Sequence, residues 1–132
     1  MAFQNQFTLF AIFFFFAFNF LSTTTTLASP HTVVLDIRND LPNNSLGDLA
    51  IECNRLNISH IKVGVHYNQT FQLNEISLEC YAMWSRYFLS WDGFQEKRDG
   101  GHSIIYWSVR EDGFYHSFDA SHYKLLEMWE TE

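Results

Sequence analysis

Six histidines, two cysteines and a scatter of carboxylates are the side chains of this 132-residue chain that could do chemistry. His116-x-x-Asp119-x-x-His122 gathers three potential metal ligands in a short span, and His60 and His66 lie close in sequence. Neither spacing is a zinc signature. On strands, ligands must follow a period of two or converge from different strands. These histidines therefore read as polar surface residues, and neither a metal nor any other cofactor is expected. No Gly-x-Ser-x-Gly or His-Glu-x-x-His is present. Gly100-Gly101 follows Arg98-Asp99 without the Lys-Ser/Thr pair of a phosphate loop. Asp36, Asp40, Asp48 and Glu52 are scattered carboxylates of the kind found on solvated strand faces. The chain is expected not to be an enzyme.

Cys53 and Cys80 are the only cysteines. An even pair in a secreted chain reads as a disulfide. Closing the loop between them would contribute roughly 3 to 4 kcal/mol in the chain-entropy model. Secretion is read from the other end of the chain. Phe7 to Leu21 is an almost unbroken apolar run, and no charged side chain occurs before Asp36. The run is shorter than the roughly 20 residues that span a bilayer. Thr26-x-Ala28 offers a small-residue cleavage site. Residues 1–28 are therefore expected to be a secretory signal peptide, and residues 29–132 a single extracellular domain. A signal anchor is the alternative for the apolar run.

All the charged residues fall in the mature part, which carries the whole net charge of −7. So acidic a domain is a poor match for nucleic acid or for anionic membrane surfaces. No membrane insertion of the mature chain is expected. Asn43-Asn44-Ser45, Asn57-Ile58-Ser59 and Asn68-Gln69-Thr70 are N-glycosylation sequons with no proline at the middle position. Asn43 and Asn57 fall in loops, and Asn68 on a strand at the parity opposite Tyr67 and Phe71.

The elements that must position these residues are strands. Ile105, Trp107 and Val109 alternate with Tyr106, Ser108 and Arg110, the period-2 pattern of a half-buried strand. Asp112-Gly113 then suits the centre of a tight turn. A two-residue turn there would set Val109 opposite His116 and Trp107 opposite Phe118. A three-residue turn through Glu111 would set Tyr115 opposite Val109 and exchange the faces of the second strand. Further strands are read at 32–38, 49–53, 60–63, 67–73, 78–84 and 87–91, with a last one at Tyr123–Trp129. Short strands at this spacing, separated by turn signals, indicate an antiparallel sandwich or barrel. Cys53 and Cys80 both fall on inward parities. Between two of the strands lies Asp92-Gly93-Phe94-Gln95-Glu96-Lys97-Arg98-Asp99-Gly100-Gly101, the longest polar stretch. A connection of this length is more often functional than bare. Its mixed charges at Asp92, Glu96, Lys97, Arg98 and Asp99, with Phe94 as an apolar anchor, make it the candidate recognition loop. The plainer reading is a solvated connection, with Phe94 folded back onto the sandwich.

Taken in order, several motifs resemble the plant self-incompatibility protein S1 family. They are Val33-x-Leu35-x-Ile37-x-Asn39-x-Leu41, the strand ending at Cys53, and Gly64-x-x-Tyr67-x-x-x-Phe71. Cys80-x-x-x-Trp84, Arg98-Asp99, Trp107-x-Val109-x-x-Asp112-Gly113-x-Tyr115 and Trp129 complete the set. The resemblance implies an all-β fold, a small antiparallel β-sandwich of about eight strands with one disulfide. It implies no enzyme activity. Founding members of the family are stigma-secreted ligands for a pollen-surface protein, so the resemblance implies a secreted signal with a cell-surface protein receptor as partner. A small apoplastic carbohydrate-binding sandwich, with Trp91 and Tyr87 as stacking platforms, is the alternative. Many family members carry a second cysteine pair shortly before the hairpin tryptophan. Arg98 to Tyr106 contains none, which leaves the rigidity of that segment to other contacts. The residues set no oligomeric state.

Overall fold

Alternating burial marks three of the longer strands of the computed structural model, which describes residues 31–44, 47–55, 57–73 and 76–131. The expected signal segment, residues 1–28, lies outside the described residues, as does Ser45 of the first sequon. Val33, Leu35 and Ile37 are fully buried along β1 (His31–Asn39). β2 (Leu49–Cys53) is instead buried almost throughout, and the short β3 (Ser59–Ile61) follows it in the chain. The alternation of β1 returns through most of β4 (His66–Leu73) and all of β5 (Ser77–Trp84). β6 (Tyr87–Gln95) leads into one helical turn, α1 (Glu96–Asp99). β7 (Ile104–Arg110) and β8 (Gly113–Ser117) form the hairpin, and β9 (Lys124–Glu127) and β10 (Glu130–Thr131) follow.

Two five-stranded sheets result, ordered β4-β1-β7-β8-β9 and β10-β6-β5-β2-β3. They pack inner face to inner face as a sandwich. Every pairing is antiparallel except β1 with β7, which runs parallel and sets Leu35 beside Ile105 and Ile37 beside Trp107. The first sheet brings Leu35, Ile37, Trp107 and Phe114 to the core; the second brings Leu49, Ile51, Trp91 and Phe94. Trp91 meets Phe114 edge-on with ring centroids 4.5 Å apart, and Trp107 at 6.0 Å. Cys53 and Cys80 are direct cross-strand partners between β2 and β5, and their disulfide is buried in this core.

The hairpin differs from both anticipated registers. Its turn is Glu111-Asp112, with Arg110 opposite Gly113, Val109 opposite Phe114 and Trp107 opposite His116. The reason lies in the next strand. A Cβ on Gly113 would stand 2.2 Å from the carbonyl oxygen of Glu127, so glycine is needed within β8, where β9 passes, and not at the turn. The slide of two positions from the two-residue register leaves Phe114 and His116 facing inward.

The single last strand expected at Tyr123–Trp129 is instead two. β9 stays with the first sheet and β10 joins the second, and the chain crosses between them at Met128 and Trp129. Trp129 packs against Phe114 and Trp84 and donates from Nε1 to the Arg110 carbonyl at 2.9 Å. That anchored side chain draws the segment across the edge of the sandwich.

Candidate recognition surface

The polar stretch 92–101 is not a bare connection. Asp92–Gln95 continue β6, and Glu96–Asp99 form α1. The pairing shifts between Leu78 and Glu79, leaving Gly93 as the extra residue of a bulge. The bulge turns both Gly93 and Phe94 inward, and Phe94 is 1% exposed. Phe94 is therefore a core residue and not an anchor offered to a partner. A Cβ on Gly93 would meet Cys80 Sγ at 2.6 Å and Leu35 Cδ1 at 2.9 Å, so the bulge sits directly on the disulfide.

Asp99 is fully buried at the end of α1. Its Oδ2 accepts from the Gln95 amide at 2.9 Å and from Arg98 Nη2 at 2.6 Å. Its Oδ1 accepts from Arg98 Nε at 2.9 Å and lies 2.8 Å from His116 Nε2. Burial pushes the Asp99 carboxyl up, but the bonds from His116, Arg98 and the Gln95 amide outweigh it and hold the group below the ordinary carboxylate range. An ionised carboxylate can only accept, so His116 carries a proton on Nε2. Arg98 also donates to the Asp92 carbonyl at 2.8 Å and lies over the Trp107 ring at 5.0 Å. Trp107 in turn donates to the Gly93 carbonyl at 2.9 Å. One buried carboxylate thus ties α1 to β6 and β8, and Arg98, held by it, reaches Trp107 on β7. Of the candidate recognition residues, Glu96 and Lys97 are exposed, Asp92 and Arg98 are half-buried, and Phe94 and Asp99 are inside.

The histidine motif does not converge. His116 turns inward to Asp99, whereas His122 Nδ1 lies 2.7 Å from Asp119 Oδ2 at the surface. Asp119 shapes the loop after β8. It accepts from the backbone amides of His122 and Ser121 and from the Ser117 hydroxyl, and these bonds hold its carboxyl far below the usual range. His60 is exposed on β3, and His66 pairs with Asp36 on the outer face of the first sheet at 2.7 Å. Asn43, Asn57 and Asn68 are all exposed. Asn68 Nδ2 donates to Asp36 at 3.3 Å.

The outer face of the first sheet holds a polar network that periodicity alone did not single out. Arg110 lies over the rings of Tyr115 at 4.1 Å and Tyr123 at 5.4 Å. Its Nε donates to Ser108, whose hydroxyl donates to Asp40, and Asp40 pairs with Arg38 at 2.8 Å. Tyr115 donates to Asp112 at 2.6 Å, and that bond raises the pKa of the phenol. The signal available in the sequence was the outward parity shared by Ser108 and Arg110. Trp91, a stacking platform for sugars in the alternative reading, is 3% exposed and packs in the core. Tyr87 is half-buried and stacks on Trp84 at 5.3 Å.

A two-sheet β-sandwich closed by one buried disulfide, with its main connection pinned by a buried ion pair, defines the class. The family model described as plant self-incompatibility protein S1 matches residues 34–129, and the chain belongs to that family. Comparison with curated proteins and with solved structures finds no match. Proteins of the S1 family are in general secreted plant proteins, and the family is not a known enzyme family. No helix among the described residues is long and apolar enough to cross a membrane.

Proposed function

We propose that residues 29–132 are a secreted ligand, released by cleavage after Ala28 and recognised by a protein partner on a cell surface. Recognition runs through the turn that carries Glu96 and Lys97. The observation that supports this reading is the pinning of α1 by Asp99, which holds two exposed, oppositely charged side chains on a preformed backbone. A preformed loop loses little conformational entropy on binding. The paired charges would orient a partner more than they would add affinity. The exposed sequons at Asn43, Asn57 and Asn68 would carry glycans on the secreted form.

The test begins with protein secreted from plant cells. Intact mass and N-terminal peptide mapping should place the first residue at Ser29, and enzymatic deglycosylation should lower the mass. Fluorescently labelled protein should then bind intact plant cells saturably. Exchanging the sign of the charge with Lys97→Glu should weaken that binding while leaving the melting curve unchanged. Saturable binding that ignores the exchange would remove α1 as the recognition element. Absence of saturable binding on every tissue tried would remove the ligand reading itself.

A further inference from the structure

The two outer faces of the sandwich differ in kind. On the first sheet the outward residues Asp36, Arg38, Ser108, Arg110 and Tyr115 are bonded to one another or to adjacent polar groups. On the second sheet the middle of one outward row is apolar instead, between His60 on β3 and Glu130 on β10, with Ala50 itself buried. Ala50 on β2 pairs with Met83 on β5, and Met83 with Phe88 on β6. Tyr81 lies in the adjacent row, between Glu52 and Ser90. Met83 is 44% exposed and Tyr81 39%. A solvated sheet face normally alternates to polar residues, and a contiguous exposed apolar patch with a polar rim marks an interaction site.

The rim is acidic on one side. Glu52 flanks Tyr81, and Glu79 pairs with Asp92 one row further on. Glu52 and Glu79 line a depression of about 550 Å³ with Asn54, Arg55 and Ser77. Among the described residues neither glutamate forms an ion pair; the Glu79 carboxylate accepts from the Ser90 hydroxyl, at 3.1 Å. We infer that the outer face of the second sheet docks a protein segment in which basic and apolar side chains alternate. The apolar groups would cover Met83, Tyr81 and Phe88, and a lysine or arginine would enter the depression between Glu52 and Glu79. The charge pattern selects this occupant. A second copy would bring its own acidic rim against this one, and an anionic membrane would be repelled by the domain's charge of −7. The depression adjoins the start of α1, since Ser77 pairs with Gln95, but the inference rests on Glu52, Glu79, Tyr81 and Met83 and does not depend on the role proposed for Glu96 and Lys97.

The probe is a synthetic peptide alternating lysine and leucine, titrated into isotopically labelled mature protein and followed by NMR. A peptide alternating glutamate and leucine serves as its counterpart. The basic peptide should shift resonances of Tyr81, Met83 and their neighbours, and the acidic one should not. Glu52→Lys with Glu79→Lys should weaken binding at least tenfold. Glu111→Lys with Asp112→Lys makes the same change of net charge at exposed positions in the β7–β8 turn of the first sheet and should weaken it by less than threefold. Met83→Asp, with Met83→Ser as the milder variant should the first fail to fold, should also cost at least tenfold. Equal losses in the two charge-reversed proteins would reduce the effect to net charge and overturn the inference. So would shifts confined to the first sheet, no binding of the basic peptide, or concentration-dependent dimers that Met83→Ser abolishes.

Discussion

Asp99 Oδ1 and His116 Nε2 meet at 2.8 Å across 17 residues of chain, and the contact fastens α1 to the inner face of β8. The carboxylate has three further donors and no exposure to water. Removing it leaves the Arg98 and His116 donors facing a cavity. Asp99→Ala should therefore cost about 3 to 5 kcal/mol, the range for breaking a buried pair from one side. Chemical denaturation of both proteins at neutral pH checks this. A loss below about 1 kcal/mol, the scale of an exposed pair, would show that the network is not stabilising.

The same group sets an acid limit. Its folded pKa lies below its unfolded value of about 3.9. The stability it contributes is therefore present above about pH 4 and lost as pH falls through the folded value. Between about pH 6 and about pH 3 the wild type should lose more stability than Asp99→Asn, which has no proton to gain at this position. Urea titrations at both pH values measure the difference; parallel losses would assign the acid sensitivity to other carboxylates.

Adjacent cations on α1 should behave differently. Lys97 is exposed and meets no partner among the described residues, so Lys97→Glu should change stability by less than about 0.5 kcal/mol. Arg98 makes two bonds to Asp99, one to the Asp92 carbonyl, and lies over Trp107. Arg98→Glu would set a second carboxylate against a buried one and should cost at least about 3 kcal/mol. Thermal melts of the two single variants suffice, and equal shifts would contradict the pinned geometry.

Cys53→Ser should cost about 2 to 5 kcal/mol, as for native disulfides in small secreted domains. Reduction of the native protein should add roughly 2 Da to its intact mass. Gly93→Ala should destabilise the oxidised protein strongly, because the new methyl would meet Cys80 Sγ and Leu35 from the bulge. If Gly93→Ala melts like the wild type, the bulge does not press on the bridge.

Gly113 and Gly101 separate two kinds of glycine. At Gly113 a methyl would strike the Glu127 carbonyl and dislodge β9, so Gly113→Ala should lose several degrees of melting temperature together with the β8–β9 amide protection. At Gly101 nothing lies within 4 Å and only its φ of 88° disfavours a side chain. Gly101→Ala should cost about 1 kcal/mol and leave exchange elsewhere unchanged. Hydrogen exchange read residue by residue distinguishes them.

The strands with strict alternation, such as Val33-Leu35-Ile37 and Leu78-Cys80-Ala82-Trp84, were legible because one side of each faces the core. The disulfide was legible because only two cysteines exist and both fall on that side. Three things were not. The turn at Glu111-Asp112 depends on the Glu127 backbone, which is remote in sequence and carries no side-chain signal. Phe94 folds back onto the sandwich, as the plainer reading expects, but through a bulge at Gly93, and a bulge breaks the parity on which strand reading rests. Asp99 looked like one charge in a polar run. Its burial is set by His116 on β8, and single-strand periodicity carries no information about partners across the fold.

The parallel pairing of β1 with β7 has a consequence for the order of assembly. The β2–β5–β6 part of the second sheet, with both cysteines, is complete once residue 95 has been made. β1 is made earlier yet meets β7 only when residues 104–109 arrive, so this pairing closes over the largest sequence separation in either sheet. Such non-local closure is slow relative to hairpin formation. Until it occurs, Val33, Leu35 and Ile37 are held from one side only, by β4, with an unpaired apolar strand edge of the kind that aggregates.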